Sequence, residues 1–314
     1  AKKDSTEEKL TKVTLNEVAH SIFYAPQYVA IEEGYFAEKG LDLTLVTGFG
    51  ADKTMTAVIS GEADIGFMGA EASVYAYQEG ATDPVVNFAQ LTQRAGNFLV
   101  AREEMPDFKW EDLKGEKVLG GRKGGMPEMV FEYILKKNGI DPQKDLTIDQ
   151  SIDFGSTAAA FTSDDSAAYT VEFEPSATIL EKEGAGYVVA SLGEASGYVP
   201  YTSYSTKASY MKENPEIIQK FTDALQKGMD YVQNHTPEEI AEVIAPQFKE
   251  TDLETITAIV KRYYDQDTWK ENLIFEKDSF ELLQDILEDA GELTDRTAYE
   301  NLVQTEYAQK ACKN

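Results

Sequence analysis

Val13-Thr14-Leu15-Asn16-Glu17-Val18, then Pro26-Gln27-Tyr28-Val29-Ala30-Ile31-Glu32-Glu33, then Leu41-Asp42-Leu43-Thr44-Leu45-Val46, form the stretch that decides the fold. The outer two runs alternate apolar and polar residues with the two-residue period of a strand. Proline opens the middle run and Gly34 follows it, the punctuation of a short helix. Strand, helix and strand in succession argue for an α/β fold and against an all-β one or separate α and β halves.

The alternation continues outward. Helix-like Lys53 to Ser60 and Glu71 to Gln78 interleave with strand-like Ala63 to Met68 and Val85 to Leu91. Asn97 to Arg102 leads into a polar connector, Glu103 to Lys109, which contains Pro106. A second series follows: strands at Lys117 to Gly120, Leu146 to Ile152, Ala168 to Phe173 and Tyr187 to Ser191, with helices at Met126 to Asn138, Ser156 to Phe161 and Pro175 to Glu183. Pro200 to Thr206 is extended and returns the chain to the first lobe. From Asn214 the pattern is mainly helical, and Asn214-Pro215-Glu216 and Thr236-Pro237-Glu238-Glu239 each join a capping residue, proline and a first-turn acid. The expected fold is α/β and two-lobed, with a hinge of two crossover segments. Residues 1–12 form a flexible leader, 13–101 and 205–314 a discontinuous first lobe, and 102–204 the second.

A length of 314 residues suits two cores, and 42% hydrophobic with 11% aromatic residues suffices to fill them. Lys plus Arg number 29 against 56 Asp plus Glu, and the net charge of −27 repels nucleic-acid phosphates and anionic membrane surfaces. Nucleic acid is therefore not an expected partner, and a small anion would need a locally positive pocket. The single cysteine, Cys312, excludes an internal disulfide, a Cys-rich metal site and a redox pair. No cofactor or metal is called for. No apolar run approaches the ~20 residues that span a bilayer. The polar opening, Ala1 to Lys9, reads as a tether, and the expectation is an extracytoplasmic monomer, periplasmic or held at the cell surface by a lipid on a cysteine upstream of this sequence.

Tyr24 to Asp42, with its Gly34-Tyr35-Phe36 and Gly40-Leu41-Asp42, resembles the opening of the substrate-binding proteins called NMT1/THI5-like, or SsuA/ThiY-like. Ser60-Gly61-Glu62-Ala63-Asp64-Ile65-Gly66, Asp112-Leu113-Lys114-Gly115 and Asn214-Pro215-Glu216 resemble further motifs of that family, so the likeness runs over about residues 13–245. The resemblance implies a type II periplasmic-binding fold that closes on a small molecule and delivers it to the permease and ATPase of an ABC importer. It implies cargos such as thiamin pyrimidine precursors, taurine, alkanesulfonates or nitrate. The yeast-type enzymes of the superfamily make the thiamin pyrimidine with a cysteine-rich motif, iron and histidine; this chain has no such motif, which points to binding and not catalysis.

Ligands of open α/β sheets sit beyond the carboxyl ends of the strands. That places Ser21, Phe23 and Tyr24 after the first strand, with the two aromatics either facing a planar ligand or capping the core. His20 beside them reads as a structural hydrogen bonder. Gly50 and Asp52 belong to the glycine loop Gly48-Phe49-Gly50-Ala51-Asp52-Lys53, which has neither Walker nor dinucleotide spacing and permits only close backbone approach. Gly69 and Glu71 end the third strand; Glu71 either binds an amine or complements a helix dipole. Gln93 and Arg94 flank the first crossing. Opposite lie Arg122, Lys123, Gly124 and Met126, whose cations would clamp a sulfonate or carboxylate or else face the lobe surface. Glu174 is the preferred specificity residue, able to accept paired hydrogen bonds from an aminopyrimidine, and the alternative is a first-turn helix acid. Tyr201 and Tyr204 are expected on the cleft floor. The leading function is capture of a planar or amine-bearing solute, best a thiamin pyrimidine precursor. The alternatives are a small anion or, in another class, a pyrimidine-processing enzyme.

Overall fold

The computed structural model describes residues 9–153 and 155–313. Its strands are β1 (Thr11–Glu17), β2 (Leu41–Thr47), β3 (Ile65–Met68), β4 (Val85–Thr92), β5 (Phe98–Ala101), β6 (Lys117–Leu119), β7 (Thr147–Asp149), β8 (Tyr169–Glu172), β9 (Tyr187–Ser191) and β10 (Thr202–Lys207). They build two five-stranded sheets, ordered β2-β1-β3-β10-β4 and β7-β6-β8-β5-β9. The first strand, helix and strand form a βαβ unit. β1 pairs in parallel with β2 in the register Leu15 to Leu45, and with β3 in the register Leu15 to Ile65.

The two sheets have one topology. In each, three parallel strands are followed by an antiparallel strand and then a fourth; the antiparallel members are β10, paired with β3 and β4, and β5, paired with β8 and β9. Both antiparallel strands adjoin a crossing between lobes. This corrects the expected boundaries. β5 forms its hydrogen bonds in the second sheet and β10 joins the first sheet from Thr202, so the chain crosses at 93–97 and again before 202, not at 101/102 and 204/205. An apolar four-residue strand carries no mark of which sheet it enters, and only pairing decides. The leader is shorter than expected, since β1 starts at Thr11; residues 1–8 of it lie outside the described residues.

β4 ends its sheet, yet every residue in it is buried. C-terminal segments cover its edge: Gln90 N–H donates to the Leu273 carbonyl (2.8 Å), Gln93 N–H to that of Thr268 (2.9 Å), and Asn87 bridges to Val303. Covering an edge strand removes a template for aggregation. The helix Pro215–Asn234 buries Ile218, Phe221, Leu225, Met229 and Val232, the stripe of a 3.6-residue period, and packs on the helix Ala25–Glu32. Thr236 and Glu239 form a reciprocal capping box. Asn214 does not cap; its amide turns back to the Tyr210 carbonyl at 3.3 Å.

Candidate functional site

The carboxyl ends of β1, β2 and β3 face those of β6 and β8 across a cavity of about 250 Å³. The first lobe supplies Val18 to Ser21, Tyr24, Phe49 to Ala51, Gly69 and Glu71. The second supplies Gly120 to Arg122, Gly125 to Pro127 and Val171 to Ser176, and the crossings supply Asn97, Tyr201 and Thr202. The segment after β1 turns at once into a short 3₁₀ helix, Ile22–Tyr24, whose amino end Ser21 caps by accepting from the Phe23 N–H. The same Ser21 hydroxyl donates to the Glu174 carbonyl at 2.6 Å and so ties the two walls together.

Of the thirteen residues expected at the site, nine line the cavity: Ser21, Tyr24, Gly50, Gly69, Glu71, Arg122, Met126, Glu174 and Tyr201. Four do not. Phe23 is fully buried behind the wall, ringed by Tyr24, Phe173, Tyr201 and Tyr263, because the 3₁₀ turn points it into the core. Asp52 lies outside, half exposed and 3.7 Å from Arg122. Gln93 donates its side-chain amide to the Asp267 carbonyl and anchors the C-terminal segment. Gly124 faces a neighbouring cleft and accepts a hydrogen bond from the Tyr75 hydroxyl at 2.7 Å. Of the residues discussed beside them, Tyr204 is buried under Phe67, ring stacked at 4.1 Å, with its hydroxyl donating to Gln27, so it is not the cleft floor.

The role expected of Glu174 also changes. Its carboxylate accepts from the Thr178 N–H and hydroxyl and pairs with Arg262 at 3.2 Å, which commits both oxygens to the protein. Two residues earlier, Glu172 ends β8 inside the cavity and accepts from the Thr170 hydroxyl at 2.6 Å. Burial raises its carboxyl to about 7. Glu172, Asn97, Thr157 and Thr202 were not singled out in the sequence. β8 stops at Glu172, so the strand period no longer sets which of the two acids faces inward.

Several buried polar atoms of the cavity are under-satisfied among the described residues: Glu71 Oε2 has no hydrogen-bond partner, and the Asn97 amide and Tyr201 hydroxyl have none beyond each other. Burial raises Glu71 to about 7, only partly opposed by the Arg122 charge. An unpaired buried polar group costs on the order of 1–3 kcal/mol, so such a cluster inside a cavity is a socket for a ligand that supplies the missing partners. The cations stand away from the cavity's interior. Arg122 stands at the rim, 50% exposed and beside Asp52, while Arg94 donates to the Gly193 carbonyl and lies over the Tyr198 ring.

Behind the wall, four donors converge on the buried Glu17 carboxylate: Tyr28 (2.7 Å), Gln27 (2.9 Å), Thr47 (2.6 Å) and His20 Nδ1 (2.7 Å). His20 Nε2 lies 2.9 Å from the Gln247 carbonyl. Burial alone would lower the imidazole, but the Glu17 hydrogen bond and charge outweigh it and hold it above its ordinary value. His20 is thus a structural strut of the cavity wall, as its lone position beside a strand indicates.

A two-lobed pair of sheets of common topology, closing on a cavity at their carboxyl ends, is the architecture of periplasmic binding proteins. The nitrate-binding protein NrtA from Synechocystis PCC 6803 superposes with a TM-score of 0.81 at 16% identity, over 97% of this chain and 89% of that one. The NMT1/THI5-like family model matches residues 22–240, and the chain belongs to that family. The Bacillus subtilis (strain 168) protein named "Putative binding protein YtlA" is 48% identical over 97% of this chain and 91% of its own length. A more distant relative, 24% identical over 67% of this chain and 63% of its own, is the Saccharomyces cerevisiae 4-amino-5-hydroxymethyl-2-methylpyrimidine phosphate synthase THI11.

Proposed function

We propose that the protein is the extracytoplasmic solute-binding component of an ABC importer, and that its cargo is a small planar solute carrying an amine or a protonated ring nitrogen. One observation carries the cargo class: among the described residues the cavity holds an unpartnered carboxyl oxygen at Glu71, an amide and a hydroxyl at Asn97 and Tyr201 with no partner beyond each other, and a second carboxyl at Glu172, while its one arginine, Arg122, is half exposed. The two carboxyls accept hydrogen bonds and favour positive charge, and the amide and hydroxyl both donate and accept. Tyr24, Phe173 and Tyr201 supply aromatic walls for a flat ring. A volume of about 250 Å³ falls below the ~300 Å³ lower bound for drug-sized ligands and suits a single heterocycle.

Within that class a thiamin pyrimidine precursor is the leading cargo. Its amino group would donate to Glu172 or Glu71, a role the sequence placed on Glu174. The ligand is bound and released unchanged, and contact with both lobes is what makes it favour the closed state. The test is calorimetric titration of the whole protein with 4-amino-5-hydroxymethyl-2-methylpyrimidine, taurine and nitrate, alongside native mass spectrometry of gently purified material. Binding of the pyrimidine alone supports the reading. Tighter binding of taurine or nitrate would transfer the assignment to an anion held by Arg122, and chemical conversion of the pyrimidine would make the protein an enzyme.

A further inference from the structure

Phe49 differs from every other aromatic side chain that lines the cavity among the described residues. It is 53% exposed, and no ring, hydrogen bond or ion partner holds it among the described residues. Its backbone sits at φ 58, the left-handed region that bulky residues avoid. Its flanks impose that conformation. Gly48 N–H donates to the Glu17 carbonyl at 2.8 Å and Gly50 N–H to that of Val18 at 3.1 Å, so both neighbours are pinned to the end of β1. Neither neighbour tolerates a side chain: a Cβ on Gly48 would lie 2.6 Å from Asn16 Oδ1, and Gly50 holds φ 138. The pinned turn projects Phe49 across the cleft to the opposite lobe, where its ring Cδ1 stands 3.9 Å from the point a Gly155 Cβ would occupy.

A strained backbone that exposes an apolar ring has no benefit in packing, and both Phe49 and Gly155 line the cavity. We propose that Phe49 is the cover of the binding cavity: its ring closes the mouth against Gly155, stacks on the outer face of a bound solute, and sets how fast that solute leaves. The proposal rests on the reading of this cavity as a binding site, but its first test needs no ligand. Asn97 is buried in the cavity. In a Cys312→Ser background, Asn97→Cys places one thiol inside, and N-ethylmaleimide reports access to it. Phe49→Ala is expected to speed labelling about tenfold or more, and Phe49→Trp to restore the slow rate.

Phe49→Gly is expected to raise the melting temperature of the ligand-free protein by a few degrees, because glycine adopts this φ without strain, while labelling as fast as Phe49→Ala. Equal labelling rates with and without the ring, slow or fast, overturn the cover, since access then depends only on lobe separation. Where 4-amino-5-hydroxymethyl-2-methylpyrimidine binds, its dissociation rate should rise by the same factor in Phe49→Ala, and an unchanged rate also counts against the proposal. Ring-dependent labelling with no uptake of that pyrimidine, taurine or nitrate would sink the importer reading and leave the cover standing.

Discussion

Glu71 shows how one residue takes its chemistry from its surroundings. In sequence it is a helix first-turn acid, and such acids ordinarily complement a dipole. Here it is 2% exposed, with one oxygen unpaired, and burial raises it to about 7. Glu172 is raised to about 7 by the same cause. A carboxyl whose folded value lies above its unfolded value of 4.5 binds more protons when folded, so its contribution to stability is fully present below pH 4.5 and is lost as pH rises through 7. Each pKa unit corresponds to ~1.4 kcal/mol. Urea unfolding at pH 5.5, 7 and 8.5 should show this decline, and Glu71→Gln should flatten it; a stability that instead rises over this window would mean the carboxyl is stably paired. Affinity for a cationic solute should run the opposite way, rising with pH as Glu71 and Glu172 ionise. Isotherms over the same pH values measure it.

At the scale of elements, the helix Pro215–Asn234 shows packing overriding propensity. Gly228 lies inside it, and replacement by alanine would gain ~1 kcal/mol in an isolated helix. The added Cβ, however, would lie 2.4 Å from the Pro26 carbonyl oxygen, a backbone atom that cannot swing aside. Overpacking of this kind costs ~1–3 kcal/mol, so Gly228→Ala should destabilise the protein by about 1 kcal/mol net, visible as a lower urea midpoint. Thr236→Ala should cost a similar ~1 kcal/mol, because the threonine hydroxyl accepts from the Glu239 N–H and Glu239 returns the bond to the Thr236 N–H. That box was legible in Thr236-Pro237-Glu238-Glu239. Asn214-Pro215-Glu216 has equivalent lettering but a different outcome, since the Asn214 amide turns to Tyr210.

At the scale of the whole molecule, hydrogen bonds join the two lobes. Tyr75 donates to the Gly124 carbonyl, Ser21 to that of Glu174, and Lys136 to that of Asp289. Tyr75 lies outside the main cavity, so Tyr75→Phe tests closure without touching the ligand site. Loss of one hydrogen bond of ~1 kcal/mol should shift the open–closed equilibrium about fivefold toward the open form, which weakens solute affinity and increases the radius of gyration of the ligand-free protein in X-ray scattering. Unchanged scattering and affinity would show that the contact does not hold the lobes together.

The sequence by itself determined the α/β class, the first run of strand, helix and strand, the two series of elements and the loops from which a site is built, because periodicity and glycine or proline punctuation are local properties of the chain. It placed Ser21, Tyr24, Glu71, Arg122, Met126 and Tyr201 in loops that do meet at the cavity. Only the tertiary structure decided which sheet receives β5, that Glu172 and not Glu174 keeps its carboxyl in the cavity uncommitted to an ion pair, and that Phe23 turns inward. Those outcomes depend on partners far along the chain. Arg262 engages Glu174 across 88 residues, and Tyr263 and Trp269 enclose Phe23 and its carbonyl. No local pattern encodes such pairings, because each is settled by what the folded chain brings alongside.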